Sequence, residues 1–146
     1  MKFPVKKNPI LIFITVAMLP LSIFILVTSI LLKDDLIAGI IGFIITFMLF
    51  IFLGYPIMKS YHEITETDFY AVFGWMKIKI PLADITKVSY TWNPISAPAW
   101  TFKRMQVSYG RYGYDLLSIP KNEEEFFAVL KEKSPNALIE IKKKNN

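Results

Sequence analysis

The 146-residue chain contains no cysteine and a single histidine, His62. The first absence removes disulfides, thiolate nucleophiles and cysteine metal sites. The second leaves no histidine pair, and "HEITE" does not set two ligands at helical spacing, so no metal site is expected. His62 is expected to be an exposed or partly packed polar residue near a strand start. Charge is also scarce: Asp, Glu, Lys and Arg supply 20% of the residues against 53% hydrophobic ones. There is no glycine-rich phosphate loop and no glycine elbow around any serine. Ser60 lies near His62 in sequence, but Ser-His-Asp chemistry also needs an orienting acid. The carboxylates of Glu123, Glu124 and Glu125 are accounted for by the positive end of a helix dipole. No catalytic, cofactor-binding or metal residue is assigned, and the chain is expected not to be an enzyme.

What the sequence has in abundance is two apolar runs. Residues 10–32 and 36–57 contain no formal charge. As helices they would measure roughly 33–35 Å, enough for a hydrocarbon core of about 30 Å. Both are read as transmembrane helices. The first is too long for a signal-peptide core, and no A-x-A site follows it. Only Lys33, Asp34 and Asp35 join the two, which dictates a tight antiparallel hairpin. Lys2, Lys6 and Lys7 precede the first run, and Lys59 opens the segment after the second, so both termini are expected in the cytoplasm. The predicted organisation is a basic N-terminus (1–9), spans at 10–32 and 36–57, a folded domain at 58–135, and a basic tail at 136–146. The localisation that follows is the cell membrane, crossed twice.

In the domain the apolar period is two. "YHEIT", "FYAVFG", "MKIKIPL", "ITKVSYTW", "RMQVSY" and "YDLLSI" read as six short strands. Met76, Ile78 and Ile80 should share one face, as should Val88, Tyr90 and Trp92, and Met105, Val107 and Tyr109. After Pro120 the period lengthens. Asn122 with Glu125 forms a capping signature, Phe126, Val129 and Leu130 form a stripe, and Ser134-Pro135 ends the helix. The expected fold class is α+β: a two-helix transmembrane hairpin, then a small antiparallel β-barrel or sandwich covered by a C-terminal helix. The stretch "NPISAPAWTFKRMQVSYG" (93–110) stands between strands, so it is a fixed excursion rather than a hinge. Its residues Asn93, Pro94, Pro98 and Trp100, with Lys103 and Arg104, form the candidate interaction surface.

This order of elements, with "YHEIT", "IPLADITKV", the proline-containing stretch at 93–110 and "IPKNEEEFFAVLKEKSPN", resembles small bacterial membrane proteins that carry a pleckstrin-homology-like domain behind N-terminal spans. One type in that family is the immunity protein against the bacteriocin sublancin. Pro98, Ala99 and Arg104 fit the family's loop, whereas Trp100, Thr101 and Lys103 stand at or near its Leu, Ser and Asp positions. The resemblance implies bacteriocin immunity or membrane protection, with a bacteriocin peptide as partner. The alternative is a scaffold at the cytoplasmic face that binds a membrane or cytoplasmic protein, or an anionic lipid surface. Eukaryotic domains of this fold class bind phosphoinositides through basic residues at the first strand turn. Here that turn is Glu66-Thr67-Asp68, so phosphoinositide binding is not expected. Lys77, Lys79, Lys87, Lys103, Arg104 and the lysines at 142–144 could each add about 1 kcal/mol near an anionic surface. Nucleic acid is not an expected partner, because Trp75, Trp92 and Trp100 are scattered and form no stacking platform.

Overall fold

A computed structural model describes residues 1–32, 35–92 and 99–140. The chain forms two compact units: residues 9–58, and residues 1–8 together with 59–146. The first unit is a helical hairpin of α1 (Pro9–Leu31) and α2 (Leu36–Met58). Proline opens α1, where its missing N–H costs nothing. The Asp35 carboxylate caps α2 by accepting the N–H groups of Ile37 and Ala38 at 3.0 and 3.2 Å. Both helices are long and apolar enough to cross a membrane, and only 11% and 6% of their most apolar stretches are buried within the protein. A core helix of a soluble protein would be mostly buried, and these two are not. The helices meet through small residues. Gly39 lies against Ser29, Gly42 against Ile25 and Gly54 near Thr15. The hydroxyls of Thr15, Ser22, Thr28 and Ser29 donate to carbonyls of their own helix.

The second unit holds two four-stranded sheets and a helix. One sheet has the order β1 (Lys2–Pro4), β2 (Ser60–Ile64), β3 (Asp68–Phe73), β4 (Met76–Pro81). The other has the order β7 (Gly113–Leu117), β6 (Arg104–Tyr109), β5 (Ile85–Thr91), β8 (Leu138–Glu140). All pairings are antiparallel except β5 with β8, which is parallel. The period-two pattern places His62, Ala71 and Ile78 side by side on the inner face, and Ile64, Phe69 and Ile80 likewise. Val88 and Val107 pair in the second sheet. Gly74 and Gly110, at φ 60° and 57°, make the tight turns after β3 and β6 that a Cβ would strain. Helix α3 (Glu123–Lys133) closes the core with Phe126, Phe127 and Leu130. At its start Asn122 Oδ1 accepts the Glu125 N–H at 3.4 Å, while its amide donates to Glu125 Oε2 at 2.7 Å. Phe126 is fully buried and meets Phe3, Phe127, His62 and Phe69 at ring distances of 5.1–5.9 Å. Truncating such a residue costs about 3–5 kcal/mol.

Several expectations need correction. Of the expected barrel or sandwich, the two four-stranded sheets fit the sandwich, and among the described residues β4 and β5 share no ladder. The basic N-terminal segment contains β1, and the C-terminal tail contains β8; "KFPVK" and "ALIEIK" each carry a short alternation that supports pairing at a sheet edge. Trp92 does not join Val88 and Tyr90 inside. It lies past the last β5 pair, Thr91 with Arg104, and is 72% exposed. Met76 sits beside the β3–β4 turn, where it pairs with Phe73, and is exposed as well.

Candidate functional site

Of the expected interaction surface, Asn93, Pro94 and Pro98 lie outside the described residues. Trp100 is not a surface residue: it is only 6% exposed. Its ring stacks on Phe73 at 4.9 Å, its Nε1–H donates to Ser60 Oγ at 2.9 Å, and its backbone N–H donates to Ser118 Oγ at 2.7 Å. Its carbonyl accepts the Asn8 N–H at 3.1 Å. Trp100 therefore ties the chain ahead of β6 by hydrogen bonds to three segments, those at residues 8, 60 and 118. The indole needed a partner for its N–H on burial, and Ser60 supplies it.

Lys103 and Arg104 are half-buried beside it. The Lys103 ammonium lies 4.2 Å from the centre of the Tyr90 ring. The Tyr90 hydroxyl donates to Glu123 Oε2, and Lys6 Nζ donates to Glu123 Oε1 at 2.5 Å. Burial works against the Glu123 carboxylate. The hydrogen bonds from Lys6 and Tyr90 and the charges of Lys6 and Lys103 outweigh it and hold the pKa below the ordinary value. Burial, followed by the hydrogen bond and charge of Glu123, pushes the Tyr90 phenol up. The first residue of α3 is thus tied to β5 and to the segment before α1. That arrangement anchors three segments to one another.

His62 corrects a second expectation, because it is buried at 2% exposure. It occupies the inner face of β2, opposite Phe3 on one side and Ala71 on the other. A carbonyl can only accept, so the 2.7 Å contact with Ser118 O makes Nε2 the protonated nitrogen. Nδ1 accepts no hydrogen bond from the described residues. Burial disfavours the imidazolium and lowers the pKa to about 4, against a smaller upward effect of the Ser118 bond. His62 is a neutral core residue at physiological pH. Among the described residues no three His, Cys, Asp or Glu side chains gather as a metal would need.

The turn between β2 and β3 is acidic and internally paired. Lys133 Nζ donates to Glu66, and Lys79 lies 3.3 Å from Asp68. A shallow cleft of about 370 Å³ adjoins it, lined by Glu66, Leu82, Ile85, Lys133, Ser134 and Ala137 among others.

Two small sheets packed face to face and closed by a helix after the last antiparallel strand define the class of pleckstrin-homology-like domains. The chain belongs to the bacterial PH domain family, whose model matches residues 60–134, just over half of the sequence. No curated protein and no solved structure matches the chain. PH domains are generally non-catalytic. The matched range begins with β2 and ends after α3, so β1 and β8 are additions outside it, each at the edge of one sheet. The sequence signals for both were present but short. Neither had enough length to be separated from an ordinary basic flank.

Proposed function

We propose that this chain is a non-enzymatic, membrane-anchored PH-domain protein that works by binding at the cytoplasmic face, in the role of bacteriocin immunity of the sublancin type. The observation that supports the anchor is the pairing of β1 with β2. Residues 2–4 precede α1 and residues 60–64 follow α2, yet they are neighbouring strands, with Phe3 opposite His62. Two strands of one sheet occupy one compartment, so an even number of crossings separates them. Two spans meet that condition, and the lysines at 2, 6, 7 and 59 favour the cytoplasm for that compartment. The immunity role draws on the residues at 60–135 that resemble the family's protective members.

Expression in a bacteriocin-sensitive strain tests the role: reduced inhibition by sublancin-type peptides is expected. Unchanged inhibition across a panel of such peptides removes immunity and leaves a scaffold. That alternative is checked by crosslinking and recovery of a reproducible partner from native membranes. Lys103→Glu with Arg104→Glu is expected to weaken engagement while expression stays intact. Normal engagement would take both residues out of the interface.

A further inference from the structure

Inside the PH domain, between its two sheets, the packing leaves one small space. The period of two sets Ser60 and His62 on the inner face of β2. Ala71 stands between His62 and Ile78 across the ladder, and its methyl group is too short to fill the gap. Ser60, His62, Ala71 and Ile78 line the space from the first sheet, and Leu117 and Ser118 from the end of β7. All six belong to the same compact unit. The space measures about 10 Å³ for the centre of a water molecule, which admits one water and nothing larger. Wholly apolar cavities stay dry, but three of these six residues are polar. His62 is buried, and its Nε2–H is committed to Ser118 O. A neutral imidazole also has one acceptor, and the buried Nδ1 receives no hydrogen bond from the described residues. Ser118 Oγ accepts the Trp100 N–H at 2.7 Å, and its hydroxyl still has a proton to give. An acceptor short of a donor and a hydroxyl with a proton to give therefore line the same space.

We propose that this space is a binding site for a single water molecule, which donates to His62 Nδ1 and accepts from the Ser118 hydroxyl. Water suits both groups at once, because it donates and accepts, and buried waters make two to four such bonds. The bridge joins β2 of the first sheet to the residue that follows β7 of the second, beside the direct bond from Nε2 to Ser118 O. Both ring nitrogens are then held, and the imidazole is fixed as the neutral tautomer with its proton on Nε2. Met76 also lines the space and is half-exposed, so exchange with solvent runs past its flexible side chain.

His62 is the sole histidine, so its imidazole signals stand alone in nuclear magnetic resonance spectra of the full chain labelled with nitrogen-15 and carbon-13. Two results are expected from the unaltered protein. The Nδ1 signal should be that of an unprotonated nitrogen, displaced upfield as acceptance of a hydrogen bond requires. The ring protons should show a water cross-peak of the sign given by long-lived bound water, opposite to that of surface water. Ala71→Val fills the space and should remove that cross-peak, while an unchanged Trp100 indole signal shows that the domain is folded. Ala71→Ser, whose hydroxyl takes the place of the water, should remove the cross-peak as well and serves where valine is not accommodated. A proton on Nδ1, or the lack of a long-lived water cross-peak in the unaltered chain, overturns the site. A cross-peak that persists at full strength in the folded variant puts the water elsewhere and overturns it too.

Discussion

Phenylalanine is used in opposite ways by the two units of this protein. In the hairpin Phe13, Phe24 and Phe52 are 73%, 64% and 61% exposed, whereas in the PH domain Phe69 and Phe126 are 1% and 0% exposed. The domain satisfies its apolar groups internally, across two sheets and a helix. The hairpin turns them outward and keeps its small and polar residues for the helix contact, where Thr15 and Ser22 are 3% and 0% exposed. A unit that packs its apolar groups inward and one that exposes them thus share one chain, and residue type alone does not say which side of the packing a phenylalanine occupies. Phe3 makes the point most sharply: it lies six residues before α1 yet belongs to the core of the domain.

The same substitution on either side of that boundary is the strongest test. Phe3→Ala should destabilise the domain by about 3–5 kcal/mol, because it empties a core site and removes the edge contact with Phe126 at 5.3 Å. Phe13→Ala should cost under about 1 kcal/mol in bilayers, since lipid replaces one apolar neighbour with another. Denaturation of the full chain followed by domain-specific probes would measure both, and equal costs would erase the contrast. Gly39→Ala should destabilise the hairpin by about 1–3 kcal/mol. Its new Cβ would lie 2.3–2.4 Å from the Ser29 side chain, which is not a flexible far end. The domain's unfolding midpoint should stay unchanged, and a silent Gly39→Ala would show that the helices are not held by that contact.

A third test uses pH. His62 has a folded pKa of about 4 against an ordinary 6.5, so the unfolded chain binds more protons below neutrality. Its contribution is complete above about pH 6.5 and is lost as the pH falls toward 4. By pH 5 the domain should have lost about 2 kcal/mol. The carboxylates of Glu66, Asp68 and Glu123 have lowered pKa values, so their contributions fade only at lower pH. The slope between pH 6.5 and 5 should therefore vanish in His62→Leu, and its persistence would assign it to another group. Within the domain the smallest effect is expected for Asn122→Ala. Loss of the α3 cap should cost about 1 kcal/mol, read as a modest drop in thermal midpoint.

Much of the domain was legible because its period-two words are bounded by strong punctuation: Gly74, Pro81, Gly110 and Pro120 stand at or beside strand ends. The helix at Glu123–Lys133 was legible through its cap, its acidic first turn and its stripe. The candidate surface was much less so. Trp100, beside a proline-containing stretch, reads as a loop tip, and only the Phe73 ring and the Ser60 and Ser118 hydroxyls, distant in sequence, bring it inside. His62 likewise reads as wet until β1 covers its flank with Phe3.

The sequence by itself determined the two apolar helices, the six central strands and α3, because those features depend on local period, charge and capping within a few residues. Tertiary structure alone decided that residues 2–4 join the sheet of residues 60–81, that residues 138–140 run parallel to β5, and that Lys6, Tyr90 and Glu123 meet. Those contacts cross tens of residues, and no local pattern encodes which edge a three-residue strand will find. The edge is chosen where unpaired backbone groups and an apolar slot coincide, and that coincidence exists only once the rest of the domain has folded.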